Sequence, residues 1–166
     1  RYVLDLEGLP VHGTAGTERL AQTLIEELAP TLVWNTLPPG EPVALGPLRL
    51  SFGLTDHPVE TMAVRVEAGG RSLLYSADTG PAWQPGDLGE GVDVLLCEAS
   101  LRTEHEGLVP HLSARQAGAL ARTLGAGRLV LTHIVPGVDS DAQRAEAEAA
   151  YGGDVSVATP GATLTI

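Results

Sequence analysis

The chain of 166 residues is long enough to bury a core as one domain, and 43% of its residues are hydrophobic. It contains neither an apolar run that could span a membrane nor an export signal, and its single cysteine, Cys97, cannot form an internal disulfide. These features favour a cytoplasmic protein. The formal net charge of -11 repels polyanions and disfavours loose binding of nucleic acid.

The first part of the chain is predicted to contain a strand, a helix and a turn-rich segment. Residues 9–13 are typical of a short buried strand that ends in a glycine turn. A helix is predicted over residues 17–29, stopped by Pro30. Proline and glycine in residues 38–47 predict turns. The predicted helix has an apolar face formed by Leu20, Leu24 and Leu28.

The middle of the chain alternates between apolar and polar residues, as half-buried strands do. Such alternation predicts strands at residues 48–52 and 62–66. A tight turn follows at Gly69 and Gly70, and residues 72–76 are apolar enough to be the hairpin partner of the second strand.

After this hairpin the pattern changes to strands separated by helices. Strands are predicted at residues 92–97, 129–132 and 163–166, and helices at 113–124 and 140–151, which is a βαβ rhythm and an α/β fold class. No internal repeat or linker is present, so we expect one domain or part of one. The first of these helices has a capping box, an apolar stripe and a terminal glycine, formed by Ser113 with Gln116, by Ala117, Leu120, Ala121 and Leu124, and by Gly125.

Four candidate functional side chains come directly after predicted strands: His57, Asp78, Glu98 and His133. Polar groups at the carboxyl ends of strands can converge on one crevice. Imidazoles together with a carboxylate suit zinc and related transition metals, and a carboxylate can bridge two ions. A binuclear metal site that generates hydroxide for hydrolysis is therefore one interpretation, and four unconnected loop residues are the other.

The order of five short motifs resembles the metallo-β-lactamase fold superfamily, and most closely its ribonuclease Z-like phosphodiesterase branch. The resemblance implies an αββα sandwich, of which this chain carries mainly the second half, as a single domain over residues 1–166 that is incomplete at its amino-terminal end. The motifs are His57-Pro-Val-Glu-Thr61, Tyr75-Ser-Ala-Asp-Thr-Gly80, Glu98-Ala-Ser100, His111-Leu-Ser-Ala-Arg-Gln-Ala117 and Leu131-Thr-His133.

The resemblance also implies a role for each candidate residue. His57 matches a ligand of the first metal ion, Asp78 matches the carboxylate that bridges both ions, and His133 matches a ligand of the second ion. His111 matches the histidine beside the scissile phosphate that assists proton transfer, and Glu98 orients it. Two zinc ions are implied, with manganese or iron as alternatives. Without that role, His111 would be a residue at the start of a helix and Glu98 a structural acid.

Two departures from the family pattern affect this interpretation. The motif His-x-His-x-Asp-His, which supplies four ligands, is absent, and neither His12 nor His105 can replace it; we expect both to be solvated or locally hydrogen-bonded. Three protein ligands would hold two ions poorly, so we expect the chain alone to be inactive and about a hundred further residues upstream to carry the tetrad. Cys97 occupies a position where the branch has histidine, and we expect it to be a small apolar residue that ends a strand.

The expected substrate is a small phosphodiester, such as a cyclic nucleotide. Ribonuclease Z enzymes typically carry an RNA-binding arm, which here is replaced by the Gly69-Gly70 turn, so a large RNA is not expected. A thioester or lactone hydrolase of the same superfamily is the alternative enzyme, and a non-catalytic scaffold or fragment is the alternative of another class. No membrane partner is expected, and the family's frequent dimers make a homodimer the candidate assembly.

Overall fold

The computed structural model describes residues 7–25, 29–37 and 40–166, and the chain divides into two compact units, Arg1–Glu41 and Pro42–Ile166. The first unit is a βαβ arrangement in which β1 and β2 pair in parallel. Its elements are β1 (Leu9–Gly13), α1 (Ala15–Leu24) and β2 (Leu32–Thr36).

Three expectations for this first unit need correction. The strand at Leu9–Gly13 is present but not buried, since Leu9 is 62% exposed. The helix begins at Ala15 because the Thr14 hydroxyl accepts the backbone N–H of Thr17 at 3.1 Å, and it ends at Leu24 because Ile25 adopts extended backbone. Its predicted apolar face is exposed at Leu20 and Leu24, and Leu28 lies outside the described residues. The strand β2 was not predicted.

The second unit contains a seven-stranded sheet with the strand order β3-β4-β5-β6-β7-β8-β9. The pairs from β3 to β6 are antiparallel and the pairs from β6 to β9 are parallel. The strands are β3 (Val43–Leu45), β4 (Leu48–Leu54), β5 (Met62–Ala68), β6 (Arg71–Tyr75), β7 (Val94–Glu98), β8 (Arg128–Thr132) and β9 (Val155–Val157). The α/β class expected from the sequence is confirmed.

Two helices, α2 (Ala114–Leu124) and α3 (Ser140–Tyr151), connect the parallel strands. The predicted capping box of α2 is confirmed, and Gly125 ends the helix in left-handed backbone with φ 63°. The core forms where α2 packs against the central strands, because β7 and β8 are almost continuously apolar. Its fully buried side chains include Leu95, Leu129, Leu131, Ala117 and Ala121. No helix within the described ranges is both long and apolar enough to cross a membrane.

Two further boundaries differ from the sequence prediction. The short strand β3 lies inside the segment predicted as turns. The final strand is Val155–Val157, not residues 163–166, because the chain returns directly after α3 and pairs Leu129 with Val155, which fills the edge beside β8. Residues 163–166 alternate between apolar and polar side chains like a strand, but they do not form one.

Candidate metal centre

The candidate site lies at one edge of the seven-stranded sheet. His57 follows β4, Asp78 follows β6, Glu98 is the last residue of β7, and His133 comes directly after β8. The strands β6, β7 and β8 are parallel neighbours, and β4 runs in the same direction as β6 because both are antiparallel to β5. The carboxyl ends of all four strands therefore meet at the same edge, which brings together residues far apart in sequence.

The side chains at this edge form two groups. Within each group, the atoms that could bind a metal ion all lie within 4.8 Å of one another. One group contains His57, Asp78 and His111, and the other contains Glu98, His111 and His133. The two groups are also joined through Asp78, because its Oδ1 lies 3.2 Å from Nδ1 of His133. The ring of His111 lies between the other two imidazoles, with centroid distances of 5.5 Å to His57 and 5.4 Å to His133.

All five predicted site residues are thus brought together, but the grouping does not reproduce the predicted division of roles. His111, which was expected not to bind metal, belongs to both groups, whereas the expected ligands His57 and His133 belong to different groups. The assignment of His57, Asp78 and His133 as ligands, and of His111 and Glu98 as the proton-transfer pair, stays a prediction. The donor set of imidazoles and carboxylates matches the chemistry that zinc and related ions require.

Glu98 is the most enclosed acid of the site, with 1% of its side chain exposed. Its Oε1 accepts the backbone N–H of Thr79 at 2.6 Å and lies 2.8 Å from Nδ1 of His111, and its Oε2 accepts the hydroxyl of Ser100 at 2.8 Å. These donors satisfy a carboxylate that is buried away from water. Because a carboxylate accepts hydrogen bonds, Nδ1 of His111 carries a hydrogen directed at Glu98.

The loop that carries His57 is held against the loop that carries Asp78. The carbonyl oxygen of Asp56 accepts the N–H of Gly80 at 2.6 Å, and the hydroxyl of Thr55 donates to the carbonyl oxygen of Asp78 at 2.8 Å. A Cβ atom on Gly80 would lie 2.5 Å from Oδ2 of Asp56 and 3.2 Å from its carbonyl oxygen, so any larger residue would displace the Asp56 side chain. The two loops therefore position their side chains together.

Three contributors to the site were not identified from sequence: Asp56, Thr79 and Ser100. Ser100 stands within a motif that was recognised, and its position two residues after Glu98 is the signal that could have placed both side chains on one side of the chain. Thr79 also stands within a recognised motif, but its backbone N–H bonds to Glu98, and Asp56 bonds through its carbonyl oxygen to Gly80. Both bonds join segments far apart in sequence, for which the sequence has no local signal.

The expectation for Cys97 is confirmed, because this residue is fully buried at the end of β7. Burial, together with the nearby charge of Glu98, raises the pKa of the Cys97 thiol to about 12 against a weaker opposing hydrogen bond with Ser76. The thiol is therefore protonated at neutral pH, and neither of the two donor groups at the site includes it. Within the described residues, the possible metal-binding groups include neither His12 nor His105.

The family model "Beta-lactamase superfamily domain" matches residues 4–134. The chain belongs to this family, in agreement with its fold and with the position of the candidate site at the carboxyl ends of the strands.

The chain is similar to YhfI in both sequence and structure. It is 31% identical to the probable metallo-hydrolase YhfI of Bacillus subtilis (strain 168) over 124 residues, which are 74% of this chain and 51% of that protein. The crystal structure of YhfI, described as a metallo-beta-lactamase fold protein, superimposes with a TM-score of 0.85 at 28% identity, covering 96% of this chain and 66% of that one.

Two further relatives extend the comparison. An uncharacterized protein of Mycobacterium leprae (strain TN) is 40% identical over 130 residues, 76% of this chain and 45% of the relative. Ribonuclease BN of Escherichia coli O1:K1 / APEC is 43% identical over 68 residues, 39% of this chain and 22% of that enzyme. The chain spans about half the length of the first curated relatives it matches.

Proposed function

We propose that the protein is a metal-dependent hydrolase that cleaves a small phosphodiester. The observation that carries the proposal is the arrangement of His111: its ring is held by the buried Glu98 at 2.8 Å and lies between His57 and His133. Family membership and the similarity to a probable metallo-hydrolase support a hydrolytic activity.

The metal ligands in this proposal are His57, Asp78 and His133. Asp78 suits a bridging role because its carboxylate lies 3.2 Å from His133 and in the same donor group as His57. When bound, zinc or a similar divalent ion supplies a hydroxide near neutral pH and stabilises negative charge on the bond being cleaved. We assign two ions to the complete site, with manganese or iron as alternatives to zinc.

The chain's own residues orient the reacting groups. Glu98 holds Nδ1–H of His111, which orients the ring and leaves Nε2 for the substrate. In the imidazolium form of His111, Nε2–H donates its proton to the oxygen that leaves when the phosphodiester bond breaks, and the neutral ring that remains keeps its proton on Nδ1. Nδ1 of His57 lies 3.2 Å from the Thr61 hydroxyl, which holds this ring in place within its loop.

Two considerations favour a small phosphodiester over other substrates of the superfamily. A proton donor beside the metal ligands assists departure of a basic alkoxide, and the similarity to ribonuclease BN supports phosphodiester chemistry. The net charge of -11 and the tight turn at Gly69 and Gly70 favour a small substrate over a long RNA.

The test measures hydrolysis of the phosphate diester 3′,5′-cyclic AMP, whose leaving group is a basic alkoxide, by the intact protein with zinc or manganese, in parallel with His111→Ala and Asp78→Ala. We expect His111→Ala to lower kcat by about 100-fold while the metal content stays unchanged, since general acid catalysis contributes on this order. Asp78→Ala should lose both metal and activity.

Other outcomes would identify the alternatives. Equal phosphodiester hydrolysis by the wild type and His111→Ala would contradict the assigned role. Turnover of a thioester or a lactone without turnover of the phosphate ester would favour the other enzyme class. An intact protein that retains no metal after purification with zinc would favour the scaffold.

A further inference from the structure

The segment that carries His111 is a surface loop with few apolar anchors. We refer to residues 102–112 as the His111 loop. It contains the 3-10 turn Thr103–His105 near its start and ends directly before Ser113, the N-cap of α2. Leu112 is buried in the core, but Leu108 and Val109, which precede His111, are 72% and 47% exposed and contribute little hydrophobic burial. Polar contacts therefore have to hold the part of the loop that precedes His111.

Glu106 makes a set of such contacts from the middle of the loop to the first turn of α2. One carboxylate oxygen accepts the hydroxyl of Ser113 and, at 3.0 Å, Nε of Arg115. The other oxygen accepts Nη2 of Arg115, so the arginine binds in a bidentate manner. The Ser113 hydroxyl also accepts the N–H of Gln116 at 3.1 Å, which couples Glu106 to the helix cap.

These contacts join residues that precede His111 to residues that follow it. Glu106 lies five residues before the histidine and Ser113 lies two residues after it, so their contact joins the two ends of the short segment between them. The base of the loop is closed separately, where the N–H of Leu101 donates to the carbonyl oxygen of Leu112 at 3.0 Å. Thr103 tethers the start of the loop to Glu146 on α3 at 2.7 Å.

We propose that Glu106 is a positioning residue for the reaction: Glu98 fixes the imidazole ring of His111, and Glu106 fixes the backbone from which that ring projects. The inference rests on the proposed function, because it requires His111 to act on the substrate. Loss of Glu106 would leave Glu98 and all three proposed metal ligands in place while allowing the His111 loop to move.

The first experiment compares Glu106→Ala, Glu106→Gln and the control Glu104→Ala in the intact, metal-loaded protein. Glu104 is an acid of the same loop whose pairing with Arg102 at 3.1 Å is exposed, so its removal makes the same charge change without touching α2. We expect Glu106→Ala to lower kcat by about 10- to 100-fold with little change in KM or metal content, since small misplacements of a catalytic group have effects of this size. Glu106→Gln should recover part of the loss, because its amide oxygen still accepts from Ser113, and Glu104→Ala should match the wild type.

A double-mutant cycle separates positioning from general structural support. If Glu106 acts through His111, then Glu106→Ala should have no further effect on kcat in the His111→Ala background. A further fall by the same factor in that background, or an unchanged kcat in folded Glu106→Ala, would overturn the inference while the proposed function stands. If His111→Ala itself hydrolyses the phosphate ester like the wild type, both proposals fall. Should Glu106→Ala not fold, the same cycle with Glu106→Gln decides, with a smaller expected loss.

Discussion

Ala77 and His133 both adopt left-handed backbone, with φ values of 52° and 57°, although neither is glycine. Such conformations cost about 1–3 kcal/mol each and persist where the surrounding structure holds them. Ala77 directly precedes Asp78, and His133 is itself in contact with Asp78 at 3.2 Å. The strained positions therefore coincide with the proposed bridging carboxylate and its neighbour, as expected of a functional site.

The buried thiol of Cys97 leads to a prediction about stability and pH. Its pKa is raised from an ordinary value of 9 to about 12, so above pH 9 the unfolded chain loses the thiol proton while the folded chain keeps it. The stability that burial provides is fully present below pH 9 and is lost as the pH rises toward 12. Urea unfolding should show that the wild type loses about 1 kcal/mol more than Cys97→Ala between pH 8 and pH 10. Parallel pH profiles for the two proteins would contradict this account.

At the scale of elements, the contact between α2 and α3 depends on a glycine within α2. A Cβ atom on Gly118 would lie 2.5 Å from the carbonyl oxygen of Ala147 and 3.0 Å from Cβ of Ala150. The neighbouring atoms belong to α3 and include its backbone, so they cannot turn aside as a flexible side chain could. This close packing brings α3, and with it the contact between Glu146 and the start of the His111 loop, into position.

Gly118→Ala is therefore expected to destabilise the protein even though alanine favours helices. The gain in helix propensity is about 1 kcal/mol, and overpacking against the backbone costs about 1–3 kcal/mol. Chemical denaturation should show a net loss of stability. The control is Thr123→Ala on the exposed side of α2, which should be neutral or slightly stabilising because the added propensity meets no obstacle. An increase in stability for Gly118→Ala would argue against the close approach of the two helices.

Elements with both a local pattern and a partner nearby in sequence were predicted well. The capping box of α2, its terminal Gly125 and the hairpin through Gly69 and Gly70 depend on residues only a few positions apart. The edge strands were harder to predict. The strands β2 and β3 have no buried residues and little alternation, whereas residues 163–166 alternate but do not join the sheet. Several segments compete to pair with the outermost strand of a sheet. The strand propensity of a segment does not show which of them succeeds.

For the molecule as a whole, the acidic charge leads to a prediction about nucleic acid. A net charge of -11 opposes the release of counterions that drives most binding to phosphate backbones. Fluorescence anisotropy with a labelled single-stranded RNA of 20 nucleotides should show no saturable binding below about 100 μM protein at 150 mM salt, the weak range of non-specific binding. Micromolar binding whose logarithm falls linearly with the logarithm of salt concentration would contradict the preference for a small substrate.

The sequence alone determined the α/β class, the superfamily and the five candidate side chains, because periodicity, caps and ordered motifs are local properties of a chain. The tertiary structure alone decided that these side chains meet, since their proximity depends on parallel strands ending at one edge. It also decided that His111 lies in both donor groups and that Thr79, Ser100 and Glu106 support it and its partner Glu98. Those contacts arise where separate loops approach each other in space, and distance along the chain does not encode them.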